Sequence, residues 1–141
     1  MKTTLNPYLN FMGNTREAME FYKSVFGGKL TMQTFKEAGF PHDPKDDDLV
    51  IHSMLEAGMI VLMASDGNKE HPVKMVGDNV HLSLNGGDKA KLTKYFNKLS
   101  KGGKIDMPLA KQFWGDIFGM LIDKFGIHWM VNIASQKAPS K

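Results

Sequence analysis

Between Leu5 and Phe11, apolar Leu5, Pro7, Leu9 and Phe11 alternate with Asn6, Tyr8 and Asn10. A period of two predicts a strand with one face for a core and one face left polar. Ala18, Phe21, Tyr22 and Val25 then fall at i, i+3, i+4 and i+7, behind an Asn14/Glu17 pair spaced as a reciprocal cap, so a helix is predicted to run to Gly27-Gly28. Residues 29–36, 49–57 and 59–65 read as three further strands, the last two joined tightly at Gly58. Residues 37–48 are too polar and proline-broken for regular structure and are expected to form a mobile loop.

The same order returns further along. A strand is predicted over 80–85, then a helix capped by Asp88 with Leu92, Tyr95, Phe96 and Leu99 on one stripe, then Gly102-Gly103. Strands follow over 104–108, 114–122 and 128–133, the last two separated by the turn Asp123-Lys124-Phe125-Gly126, and the tail from Ser135 is polar. At an offset of 75 the pairs Leu9/Leu84, Asn10/Asn85, Phe21/Phe96, Lys23/Lys98, Gly27/Gly102, Gly28/Gly103, Lys29/Lys104 and Met32/Met107 are identical. Chance gives about two matches in such a window at average residue usage. The helical stripe fits better at 74, a drift of one residue that the sequence leaves open.

With 141 residues and 42% hydrophobic content, the repeats are expected to share one domain over 1–141, with modules at 4–66 and 79–134. The fold class is α/β (α+β), two tandem β-α-β-β-β modules forming a curved mixed sheet with a cleft between the copies. The chain has no cysteine, so disulfides, thiolate nucleophiles and Cys-ligated metals are excluded. Residues 1–7 lack a signal-peptide apolar region and no run approaches a membrane span, so the protein is expected in the cytoplasm without membrane contact. Net charge is +3, but lysines and acids interleave, so nucleic acid is not an expected partner. Asp46-Asp47-Asp48 lacks the spaced ligands of a calcium loop and reads as a solvated acidic run.

Pro7-Tyr8-Leu9, Glu20-Phe21-Tyr22 through Phe26-Gly27-Gly28, Leu62 to Asp66, Phe113-Trp114-Gly115 and Asp123 to Met130, taken in order, resemble the PhnB-like branch of the vicinal oxygen chelate superfamily of glyoxalase, bleomycin-resistance and dioxygenase proteins. The likeness covers roughly residues 4–134. It implies a concave sheet face that holds a ligand, a homodimer in which modules of two chains complete each cleft, and, in the enzymes, four metal ligands on the first and last strands of the modules. By strand alternation those positions fall on Asn6, Leu62, His81 and Met130, of which only His81 is a usual ligand. No metal and no other cofactor is therefore expected. Some relatives carry a demethylubiquinone methyltransferase label, but Gly13-Asn14 and Gly86-Gly87 lack the setting of a nucleotide-binding turn.

Asn6, Tyr8, Asn10, His52, Leu62, His81, Ser83, Phe113, Trp114 and Met130 are the candidate ligand-binding residues; no catalytic residue is assigned. His52 and His81 are among the few side chains of a type suited to acid–base work near neutral pH, and an aromatic wall with an indole N–H suits a flat ligand, although alternation places Trp129 in the core. His42, His71 and His128 fall in or near turns and are expected to be exposed. The leading expectation is a small-molecule binding protein that does without the superfamily's usual metal. Two alternatives stand beside it: a metal-dependent lyase, isomerase or dioxygenase using His52 and His81 with a carboxylate such as Glu56 or Asp116, and an antibiotic-sequestering protein.

Overall fold

A computed structural model describes residues 2–69, 72–74 and 79–135. The chain divides into two compact units, Met1–Lys74 and Met75–Lys141. The first unit runs β1 (Tyr8–Phe11), α1 (Thr15–Phe26), β2 (Lys29–Thr34), a four-residue α2 (Phe35–Ala38), a 3-10 turn (Pro44–Asp46), β3 (Val50–Ala57) and β4 (Ile60–Asp66). The second runs β5 (Leu82–Gly86), α3 (Lys89–Ser100), β6 (Lys104–Lys111), β7 (Ile117–Ile122) and β8 (His128–Ile133). Each unit holds one four-stranded sheet, ordered β1-β4-β3-β2 or β5-β8-β7-β6, with its first pair parallel and the rest antiparallel. Both are the β-α-β-β-β order read from the sequence.

Strand alternation sorts each sheet into a packed face and an open one. In the first unit Leu9, Phe11, Leu55, Leu62 and Ala64 are buried, as are Ala18, Met19, Tyr22, Val25 and Phe26 of α1. In the second, Leu121, Trp129, Val131 and Ile133 are buried with Leu92, Phe96 and Leu99 of α3. The helices, Thr15–Phe26 and Lys89–Ser100, stand 74 positions apart, so Ala18, Tyr22 and Val25 correspond to Leu92, Phe96 and Leu99. The first strands keep an offset of 75: Gly67 N–H donates to the Phe11 carbonyl, as Ala134 N–H donates to that of Gly86. The one-residue drift opens in the strand-to-helix loop, a residue shorter in the second unit, and closes at the helix exit, a residue longer there.

Several boundaries differ from the sequence reading, each for a local reason. β1 begins at Tyr8, and Leu5 is 99% exposed and contributes nothing to the core. Asn14 makes no side-chain cap; the α1 N-terminus is held from across the sheet by Asp66, whose Oδ1 accepts Thr15 N–H at 3.1 Å and Gly13 N–H at 2.9 Å. A capping box forms instead at α2, where Thr34 and Glu37 exchange hydrogen bonds and turn the chain out of β2 two residues early. That bonding holds the Glu37 carboxyl below its ordinary range. Asp88 caps α3 as expected, its Oδ1 accepting Lys91 N–H at 3.0 Å.

The segment expected to be a mobile loop is pinned by its own polar groups. Phe35 N–H bonds the Leu49 carbonyl and Lys36 N–H that of Asp47, while the His42 ring bridges the Phe40 carbonyl and, at 2.6 Å, the Asp47 carboxylate. His42 thus has a side chain only 12% exposed, not the free surface histidine expected. The Phe40 carbonyl first, then Asp47, raise its pKa above the ordinary 6.5. A raised folded-state pKa contributes order that is complete below the unfolded value and is lost as pH rises through the folded one. Amide exchange of residues 40–49 is therefore expected to quicken as pH rises through the His42 transition, beyond the intrinsic dependence, and His42→Asn to abolish that excess. An excess that survives in the variant contradicts this assignment.

No helix among the described residues is long and apolar enough to cross a membrane.

Candidate functional site

On the open face of the first unit the strand register lines up Tyr8, Met63, Met54 and Thr31 in one row across four strands. Beyond it Asn10 pairs with Ser65, and His52 with Gln33. Tyr8 is 43% exposed, and its hydroxyl stands 3.3 Å from His52 Nδ1 with ring centres 6.0 Å apart. An imidazole and a phenol in hydrogen-bond contact can accept or donate a proton to a ligand group laid across them. Asn10 is exposed beside them. Asn6 precedes the strand, and its amide is turned to Thr4 Oγ1 at 3.1 Å.

The open face of the second unit has its own rows. Ser83, Met130, Met120 and Met107 lie side by side, with Asn85, Asn132, Phe118 and Ala110 beyond them. His81 lies just before β5, its ring centre 5.1 Å from that of His128 on β8. His128 is half-buried and partnered, where the sequence reading left it exposed near a turn. Ser83 Oγ–H donates to Asn85 Oδ1 at 3.2 Å, and Asn132 Nδ2–H to Asp116 Oδ2 at 3.0 Å, so Asp116 orders the β8 end of this face.

Trp114, expected to start a strand, lies with Phe113 in the β6–β7 turn, and β7 begins at Ile117. Phe113 is 96% exposed and packs edge-on against Trp114, 4.9 Å between centres, and Trp114 meets Phe118 at 6.0 Å. Trp129 is core, 2% exposed, its indole N–H donating to Asp123 Oδ2 at 2.8 Å. His71 lies outside the described residues.

Leu62 does not join these groups. It is 3% exposed on the helix-covered face, and the open position on β4 belongs to Met63, opposite Tyr8. Since Met63 faces Tyr8 as Met130 faces Ser83, the structural counterpart of Met130 is Met63, and that of Leu62 is Trp129. A slip of one residue exchanges the two faces of a strand.

The model of the Glyoxalase/Bleomycin resistance protein/Dioxygenase superfamily matches residues 4–131. The chain belongs to that superfamily. Escherichia coli YjdN is 28% identical over 94% of this chain and 97% of its own length. Protein PA1353 from Pseudomonas aeruginosa, known from a crystal structure, is 39% identical with a TM-score of 0.83, covering 96% of this chain and 100% of that one. The PhnB protein from Bacillus cereus is 25% identical with a TM-score of 0.72, covering 94% and 100%. The resemblance to the vicinal oxygen chelate superfamily, with PhnB-like neighbours, is thus correct, as is the fold it implied.

The donors that this superfamily member offers do not fit a hard or borderline divalent ion. At the positions mapped for metal ligands stand an amide (Asn6), an imidazole (His81) and thioethers (Met130, with Met63 in the open place beside Leu62). Among the described residues no three of His, Asp and Glu gather closely enough to hold an ion. His52 and His81, paired in the metal-enzyme alternative, belong to different units, and each has a near aromatic neighbour of its own, Tyr8 and His128. No step through the usual metal follows from these residues.

Sequence reasoning named Met54 among methionines able to line an adaptable pocket but did not count it a site residue, and it missed Ser65, His128 and Asn132. These become visible only when the strand register is known, because each is brought to the face by a partner strand. One signal was available: Met54, Met63, Met120 and Met130 recur at matching places in the strands of both modules.

Proposed function

We propose that this protein binds a small molecule on the open sheet faces of its modules, without the superfamily's usual divalent metal. The observation that carries the reading is the Tyr8–His52 pair, held at 3.3 Å on the face opposite the one packed under α1 and flanked by Asn10, Met54 and Met63. Binding sites join an apolar, adaptable lining to a few oriented polar groups. Thioethers supply the first, being polarisable and free to change rotamer, and the phenol, imidazole and amide supply the second. His81, Ser83 and Met130 provide a matching set in the second unit, with Trp114 near Phe118 as a flat wall.

Native mass spectrometry of protein taken directly from cells tests this. The expected result is a retained small molecule whose occupancy falls at least tenfold, about 1.4 kcal/mol, when His52→Ala or Tyr8→Phe is introduced with the fold intact by circular dichroism. Occupancy equal in wild type and both variants, or a ligand released by a metal chelator, contradicts the reading.

A further inference from the structure

The ring centres of His81 and His128 lie 5.1 Å apart at an interplanar angle of 56°. An ion bound about 2.0–2.1 Å from one nitrogen of each ring, with a near-tetrahedral angle between the bonds, places two imidazole centres roughly 5 Å apart. That spacing of ring centres is one that two ligands of one ion can have. His128 opens β8, and Met130 follows two residues later on the same open face, next to Ser83 and Met120. The row that contains His128 continues through Ile122 to Lys104, so no carboxylate stands in it.

Imidazole suits copper, zinc, iron and nickel, whereas thioether sulfur selects monovalent copper and rejects hard ions. We propose that His81, His128 and Met130 form a binding site for monovalent copper within the second module. This differs from the four-ligand divalent site of the superfamily in using His128, in needing nothing from the first module and in the charge and softness of its ion. It does not depend on the small-molecule reading of the Tyr8–His52 face, and its test uses no organic ligand.

The test is an anaerobic titration of the whole chain with Cu(I) against a coloured Cu(I) chelator, repeated with Zn(II). One Cu(I) per chain should be withheld from the chelator, with affinity reduced at least tenfold in His81→Ala and in His128→Ala. Met130→Leu, close in volume and therefore expected to fold, should lose Cu(I) affinity while leaving weak Zn(II) binding by the histidines unchanged. X-ray absorption of the copper form should show one sulfur and two nitrogen ligands, the sulfur missing in Met130→Leu. Failure to withhold Cu(I), or retention equal in wild type and Met130→Leu, overturns the site. If a histidine variant does not fold, the Met130→Leu comparison alone decides.

Discussion

Asp66→Ala is expected to destabilise the first unit by roughly 4–6 kcal/mol, a large share of the stability of a typical domain. Asp66 is 7% exposed and bonds through both carboxylate oxygens. Oδ1 accepts Gly13 N–H at 2.9 Å, Thr15 N–H at 3.1 Å and the Thr15 hydroxyl at 2.7 Å, while Oδ2 accepts Val50 N–H at 2.9 Å. Thr15 is 0% and Val50 1% exposed, so truncation strands donors that water cannot reach. Each buried donor left unsatisfied costs about 1–3 kcal/mol. Asp66→Asn keeps one acceptor oxygen but turns an amide N–H₂ toward a donor, and should lose about half as much. Urea titration read by tryptophan-independent circular dichroism checks both; an Asp66→Ala loss below about 1 kcal/mol would sink the account of how α1 is anchored.

Gly28→Ala should cost about 3–5 kcal/mol, whereas Gly27→Ala, one residue away, should cost about 1–2. Both glycines have positive φ, +86° and +73°, a conformation that strains any residue with a Cβ. The difference is space. A Cβ on Gly28 would stand 2.2 Å from the Glu56 carbonyl oxygen and 2.8 Å from Ala57, both fixed in β3, while one on Gly27 meets nothing within 4 Å. Gly103 repeats the close approach in the second unit, 2.1 Å from the Ile122 carbonyl oxygen, without positive φ. Melting curves that place Gly28→Ala and Gly27→Ala together would show that φ strain alone matters here.

These two sites mark what the sequence made legible. The Gly-Gly repeat pointed to a shared role at the helix exits, where Gly27, Gly28 and Gly102 take positive φ; that Gly28 and Gly103 also let backbone of a neighbouring segment approach closely follows only from the fold. Asp66 gave no sign. Its partners lie 16 to 53 residues away, and its counterpart by register, Ile133, is apolar, so neither spacing nor repetition exposes it. The alternation in Tyr8–Phe11 and the stripes of α1 and α3 were read correctly because their periods are local. Leu62 was placed on the wrong face because β4 is apolar on both, leaving no alternation to fix which residue points which way. His128 was assigned to solvent for a related reason: its partner, His81, arrives from a parallel strand that local sequence does not specify.

The reading of the open faces as binding surfaces rests on where a ligand sits. The most direct measurement is a crystal structure of protein purified from cells without added ligands or chelators. Non-protein density against Tyr8, His52 and Asn10, with no ion at its centre, is the predicted result. A ligand held away from both open sheet faces, or one coordinated to a divalent metal, would contradict it.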